Sequence, residues 1–207
     1  MNSGLGDERL FFPATQRNRV PIGDVLAEQL PSEGFILEIA SGSGEHGVTF
    51  QKRFPDLIWQ CSDPDPEHCR SIDSWIRHEQ LTLKMPAALQ LDVRDTDWLR
   101  QLAEPAQAVV AINLLHISPW SCTTALFTQT AALLPSGGTL CVYGPFSVDG
   151  HHVSESNRSF DASLKERNPA WGVRDQTTVL EQASEAGLAL QTITLMPANN
   201  RMLTWVR

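Results

Sequence analysis

Gly42-Ser43-Gly44-Glu45-His46-Gly47 follows the apolar run Phe35-Ile36-Leu37-Glu38-Ile39-Ala40 and opens a segment that suits a helix. Glycines at such a strand-to-helix junction permit a tight turn and let a ligand approach the backbone closely. Asp63 stands about 20 residues further on, where a carboxylate accepts hydrogen bonds from ribose hydroxyls. Strand, glycine turn and acid together predict a nucleoside-containing cofactor on a Rossmann-like sheet.

Outward from this stretch, apolar runs alternate with helical patterns, which predicts βαβ units and a mostly parallel sheet. A leading helix is expected over Pro21 to Leu30, strand one over Phe35 to Ala40 and a helix from Gly44 to Arg53. Strand two follows at Leu57 to Ser62. Asp65 then caps a helix from Pro66 to His78, with proline at its first position. Strand three is Ala88 to Leu91, ended by Asp92, and Thr96 to Ala103 reads as a short helix. Gln107 to Asn113 is a strand of the kind buried on both faces. Ser118 or Ser121 caps a helix reaching Leu134, and Pro135-Ser136-Gly137-Gly138 is a turn. Thr139 to Tyr143 is strand five, broken by Gly144-Pro145. His151 to Gly172 is polar without a clean period, and is too long for an ordinary connection. Val173 to Ala186 is helical, with Gly187 as C-cap. The chain closes with strands Leu188 to Met196 and Arg201 to Arg207, joined by a short turn and therefore antiparallel.

The 207 residues suit one domain with a full core, residues 1–207, and 42% are apolar. Residues 1–30 form an N-terminal cover and helix, and 145–175 an insertion over the substrate. The net charge of −8 argues against DNA or RNA as main partner, because a polyanion calls for a basic footprint. Arg17, Arg19, Arg158, Lys165, Arg167 and Arg174 flank the expected site, although each also reads as plain solvated charge. No signal peptide is visible in Met1 to Glu8, and no run reaches the ~18 apolar residues of a membrane span. Cys61, Cys69, Cys122 and Cys141 lack zinc-type spacing and read as thiols of a reducing cytoplasm. No metal is expected. The fold leaves monomer and homodimer both open.

Read literally, residues 42–47 satisfy GxGxxG, the dinucleotide fingerprint, which is a weak signal alone. Three features oppose a nicotinamide cofactor. Tyr143 is the sole tyrosine and has no lysine four residues on. Nothing reads as a second mononucleotide half. The closing hairpin departs from the simple doubly wound order.

In the alternative frame, Glu38-Ile39-Ala40-Ser41-Gly42-Ser43-Gly44 resembles the acidic-x-Gly-x-Gly-x-Gly motif of class I S-adenosylmethionine methyltransferases. Glu38, Gly42 and Gly44, Asp63, Asp92 and the final hairpin fall in that family's order. Ala40 stands where the first glycine belongs, and the turn is expected to survive with a negative φ. A narrower set also agrees: Pro13 to Asn18, Glu38 to Gly47, Trp59 to Asp65, Asn113 to Trp120, Gly144-Pro145-Phe146 and Ser154 to Asp175. Together these resemble the methyltransferase-like 26 family, presumed methyltransferases without an established substrate. The resemblance implies a seven-stranded Rossmann-like α/β fold with an antiparallel last strand and helices on both faces. It also implies S-adenosyl-L-methionine as cofactor, with S-adenosyl-L-homocysteine as product. It names no methyl acceptor.

On that reading Gly42, Gly44 and the turn residue Ala40 bring the backbone to the cofactor. Glu38 meets the methionine ammonium or orients the loop. Asp63 grips two ribose hydroxyls, and its competing role is a helix cap. Asp92 and the Val93 amide lie beside adenine. Asn113 ends strand four at the carboxyl edge, where ligands bind in such sheets. His116 is the candidate general base, against the plainer reading of a packed histidine. By resemblance Arg17 and Asn18 belong to the N-terminal cover, with Arg17 pairing a carboxylate. Asn157, Phe160, Arg167, Trp171 and Arg174 are the expected substrate lining. His151-His152 reads as a solvated pair before it reads as a metal site. The Asn/Asp-Pro-Pro-aromatic pattern of nucleic-acid amino-methyltransferases is absent from Asn113-Leu114-Leu115-His116, which again turns the reading toward a small molecule. The alternatives are a methyltransferase fold that binds cofactor or partner without turnover and, more remotely, a nicotinamide-dependent oxidoreductase.

Overall fold

The run that precedes the glycines becomes β1 (Gly34–Ile39), buried from its second residue onward, and the sheet is built outward on both sides of it. A computed structural model describes residues 7–96 and 98–207. The first six residues of the expected N-terminal cover, and Asp97 in the expected 96–103 helix, lie outside the described residues. In chain order the elements are α1 (Pro13–Gln29), β1, α2 (Glu45–Arg53), β2 (Leu57–Asp63), α3 (Pro66–His78), β3 (Leu89–Gln90), β4 (Ala108–Ile112), α4 (Trp120–Leu133), β5 (Thr139–Val148), β6 (His151–His152), α5 (Glu155–Arg167), β7 (Arg174–Asp175), α6 (Gln176–Glu185), β8 (Ala189–Met196) and β9 (Asn200–Val206).

The main sheet runs β3-β2-β1-β4-β5-β9-β8, and the short β6 and β7 pair with the outer end of β5. β1 is parallel to β2 and β4, and β4 is parallel to β5, whereas β9 is antiparallel to both β5 and β8. The expected mixed α/β Rossmann-like sheet of seven strands is therefore present, with two short strands added. The central strands read as unbroken apolar runs because both faces are covered. Leu37, Ile39, Val109 and Val142 pack one way, with Phe127 and Val179. Ile36, Trp59, Val110 and Tyr143 pack the other way, with Ile22 and Phe50. Chain order reverses between β1 and β4, which opens a crevice at their carboxyl ends.

Several boundaries differ from expectation for identifiable reasons. α1 begins at Pro13 and contains Pro21 in its interior, so the proline that suggested a helix start lies two turns inside. α4 starts after Pro119 without a side-chain cap, because the Ser118 hydroxyl instead donates to the Leu114 carbonyl (2.9 Å). The expected 96–103 helix is reduced to a 3-10 turn, Trp98–Gln101. β5 passes through Gly144-Pro145 to Val148, since β9 and then β6 and β7 supply it with partners. The polar stretch after it holds a 13-residue helix, α5, capped by Ser154, whose hydroxyl accepts from the Asn157 amide. The inward residues of α5 are Asn157, Asp161 and Leu164, spaced i, i+4, i+7. Two of the three are polar, so the helix has a buried face but no apolar period to reveal it.

Candidate active site

The glycine stretch and the acid that ends β2 meet at the crevice. From Ile39 the chain turns through Ala40 (φ 57°), Gly42 (φ 57°) and Gly44 (φ 92°) into α2. The expectation of a negative φ at Ala40 is corrected: alanine makes this turn in the left-handed region, at a cost of roughly 1–2 kcal/mol. Neighbouring hydrogen bonds hold the turn. The Ser41 amide donates to the Ser62 carbonyl (2.8 Å), the Ser62 hydroxyl to the Glu38 carbonyl (2.7 Å), and the Ser71 hydroxyl to the Ser43 carbonyl (2.7 Å). The Gly42 amide donates to Asp63 Oδ2 (2.9 Å), which joins the glycine turn directly to the acid. Asp63 Oδ1 accepts from the Asp65 amide (3.0 Å) and pairs with His68 Nδ1 (2.9 Å). The cap of α3 is a different residue, Asp65, which accepts from the Glu67 amide.

Glu38 lies between the sheet and α2, fully buried. Trp59 Nε1 donates to its Oε2 at 2.6 Å, and the Cys61 thiol stands 3.7 Å from the same oxygen. Burial pushes its carboxyl up to about 7, against the pull of the Trp59 and Cys61 hydrogen bonds. Gly47 has to be glycine here, since a Cβ would fall 2.1 Å from Cys61 Sγ and 3.1 Å from Glu38 Oε2. Asp92 follows β3 at the same edge. Its carboxylate is engaged by the Arg94 amide and guanidinium (2.6 to 3.2 Å), which holds it below the usual carboxylate range. Val93 beside it is buried. Asn113 sits one residue past β4 with φ 60°, its amide donating to the Tyr143 carbonyl (2.8 Å).

His116 is buried four residues beyond β4, in the 3-10 turn Leu115–Ile117. Burial first, then the charges of Arg174 and Arg167, bring its pKa down from 6.5 to about 4, so the ring is neutral at ordinary pH. Its Nδ1 would stand 3.2 Å from a Cβ on Gly144, and Phe160 of α5 meets the ring edge-on at 5.6 Å. Phe160 is itself 38% exposed, so its ring bridges His116 and solvent. The 170–175 segment is tied to the same place: the Gly172 amide donates to the His116 carbonyl, and Arg174 donates to the carbonyls of Leu115, Ser118 and Ala170. Arg174 thus fastens this segment to the turn that carries His116. Arg167 is exposed, with its guanidinium 5.6 Å from the Trp171 ring centre. Asn157 is buried, and its amide approaches the Asn199 carbonyl in the β8–β9 turn. Asp161 anchors α5 from within, accepting from the Val173 amide (2.8 Å) and Lys165 (2.6 Å), with His152 at 3.3 Å. His151 is exposed.

The N-terminal segment crosses the glycine turn. The Phe12 amide donates to Glu45 Oε2 (2.9 Å), and Trp75 Nε1 donates to the Leu10 carbonyl (3.0 Å). The Phe12 ring lies 3.0 Å from where a Cβ on Gly42 would be, and edge-on to His68 at 5.7 Å. Asn18 Oδ1 is 2.8 Å from His46 Nε2, and the Asn18 side chain also draws down the Tyr143 phenol, which burial raises. Arg17 is on the exposed face of α1. Phe12, His46, His68 and Tyr143 were not expected at the site. His46 lay inside the quoted glycine stretch, but neither it nor the others sits in a pattern that spacing along the chain exposes. Among the described residues no group of three metal-ligating side chains is assembled, and no helix is long and apolar enough to cross a membrane.

A family model described as "Protein of unknown function (DUF938)" matches residues 9–207, and the chain belongs to that family. Solved structures share its fold at low identity. An O-methyltransferase family protein from Burkholderia thailandensis superposes with a TM-score of 0.79 at 18% identity, covering 94% of this chain and 57% of its own. An O-methyltransferase family 2 protein from Planctomyces limnophilus, in complex with apigenin, gives 0.75 at 15%, covering 94% and 60%. Human N-acetylserotonin methyltransferase, in complex with S-adenosylmethionine, gives 0.74 at 13%, covering 94% and 52%. The fold is therefore the class I methyltransferase fold, and the chain spans little more than half the length of these proteins.

Proposed function

We propose that this DUF938 member is an S-adenosylmethionine-dependent methyltransferase acting on a small molecule. The observation that carries the reading is the 2.9 Å bond from the Gly42 amide to Asp63, which sets a glycine turn and a ribose acceptor side by side at the topological switch of the sheet. The residues fit the cofactor: Gly42 and Gly44 make the tight turn at positive φ, where a Gly44 side chain would strike Ile72, and Asp63 Oδ2 keeps acceptor capacity beyond the Gly42 amide. When bound, S-adenosylmethionine supplies a methyl group already activated on a sulfonium.

Gly42 and Gly44 make the tight turn that lets the backbone approach the methionine and ribose parts. Asp63 receives the ribose, Asp92 and the Val93 amide flank the adenine, and Glu38 and Asn113 shape the methionine end. His116 draws a proton from the acceptor, and burial, with the charges of Arg174 and Arg167 beside it, keeps its ring neutral beforehand. Asn157, Phe160, Trp171 and Arg167 line the acceptor side, with α5 as its cover. Arg17 and Asn18 belong to the cover contributed by α1. The motifs shared with the methyltransferase-like 26 family support the same reading. Four free thiols agree with a reducing cytoplasm as its place of work.

Calorimetric titration of cofactor-stripped protein with S-adenosylhomocysteine, with NADH in parallel, tests the reading. Micromolar binding of the former alone is expected. Binding of NADH, or of neither, refutes it.

A further inference from the structure

We propose that His68 is a specificity-determining positioning residue for the cofactor ribose: by filling Asp63 Oδ1 together with the Asp65 amide it leaves the carboxylate one unfilled acceptor site, on Oδ2 beside Gly42, so that one ribose hydroxyl is read there rather than two. The inference rests on the reading of Asp63 as the ribose acceptor.

A carboxylate has about four lone-pair sites and only accepts, so the hydrogen of the His68–Asp63 pair sits on Nδ1. Oδ1 takes His68 Nδ1 at 2.9 Å and the Asp65 amide at 3.0 Å, which fills it. Oδ2 takes the Gly42 amide at 2.9 Å and keeps one site. Local structure puts the imidazole there. Pro66 starts α3 and the Asp65 cap sets its first turn, so that residue 68 folds back over residue 63. The ring cannot swing out freely, because Phe12 lies edge-on against it at 5.7 Å. Phe12 in turn is held by its amide on Glu45 and by its contact with the Gly42 backbone. Asp63 is 4% exposed, so little water is at hand to take over a lost donor. Removing His68 therefore frees an acceptor site and the rotation of the carboxylate together.

The test measures binding of S-adenosylhomocysteine and its 2′-deoxy and 3′-deoxy analogues to the full chain by calorimetry. In the wild type, one analogue is expected to bind about tenfold or more weaker than the other, since a hydrogen bond to a charged acceptor is lost from only one of them. In His68→Ala the two analogues are expected to come within about threefold of each other. His68→Asn, whose amide nitrogen stands where Nδ1 did, restores the asymmetry. His68→Leu serves as a second donorless variant should His68→Ala fold poorly. Equal losses for both analogues in the wild type overturn the proposal, as does asymmetry that survives in the donorless variants, or uniform loss of all three ligands in them. A wild type that binds no S-adenosylhomocysteine refutes the methyltransferase reading itself. Wild-type binding with asymmetry indifferent to His68 refutes this inference alone.

Discussion

The glycine-turn corner, residues 34–68, and the α5 segment, residues 148–175, are held by different means. In the first, short side chains close on the backbone of the turn: Asp63 and the Ser62 and Ser71 hydroxyls meet the Gly42 amide and the Glu38 and Ser43 carbonyls, beside the Ser41–Ser62 backbone bond, over apolar strand residues. The second hangs on side chains. Asp161, Arg174 and Asn157 attach α5 and the segment after it to β6, to the His116 turn and to the β8–β9 turn. A close-packed turn leaves little room for added atoms, whereas side-chain ties between elements are expected to release without loss of the fold. On the proposed function, ligand geometry belongs to the first and access to the second.

Breaking the glycine-turn corner has the largest expected effect. Gly47→Val places carbon atoms on Cys61 Sγ and against Glu38, inside a layer that cannot open, and should cost about 3 kcal/mol or more; the melting temperature or the denaturation midpoint reads it. Asp63→Ala should leave the fold in place and weaken S-adenosylhomocysteine by about 10- to 100-fold in calorimetry. Unchanged affinity would remove Asp63 from the site. Asp161→Ala strips the Val173 amide and Lys165 of their acceptor and should cost about 1–2 kcal/mol. Limited proteolysis should then cut within 148–172 more readily while S-adenosylhomocysteine binding holds, and a parallel loss of binding would erase the contrast between the two regions.

The last effect is one of slope, a difference in pH dependence. His46 and His116 are both lowered from 6.5 to about 4, chiefly by burial, so between those values the unfolded chain takes up protons that the folded chain refuses. Each therefore makes stability rise with pH across that window. Glu38, raised by burial from 4.5 to about 7, does the reverse: its folded form keeps a proton that the unfolded chain has released, and stability falls as pH rises from 4.5 to 7. Glu38→Gln removes the opposing slope. Between pH 4.5 and 6.5 its stability should climb more steeply than that of the wild type, by up to about 1.4 kcal/mol per pH unit. Parallel curves from denaturant titrations would show that Glu38 does not hold its proton in the folded state.

Legibility in the sequence followed the same division. Phe35 to Ala40, Leu57 to Ser62 and Gln107 to Asn113 were readable as strands because a sheet covered on both faces demands unbroken apolar runs. Asp65 and Pro66 marked the start of α3 because capping chemistry is local. Ala40 escaped, since nothing in an alanine announces that its neighbours will hold it at φ 57°. α5 escaped because its inward residues, Asn157 and Asp161, are buried by partners distant in the chain.

What local chemistry settled was the strand–turn–helix order, the place of the glycines and the acid, and with them the class of fold. Which charges survive in the crevice was settled by packing. Arg174 became a fastener where three carbonyls converge on it, Glu38 lies under α2, and Phe12 closes over Gly42 and against His68. Hydrophobic period and turn preference act over a few residues and are written along the chain. A polar side chain's role depends on which donors and acceptors the folded sheet brings within 3 Å of it, and those come from everywhere.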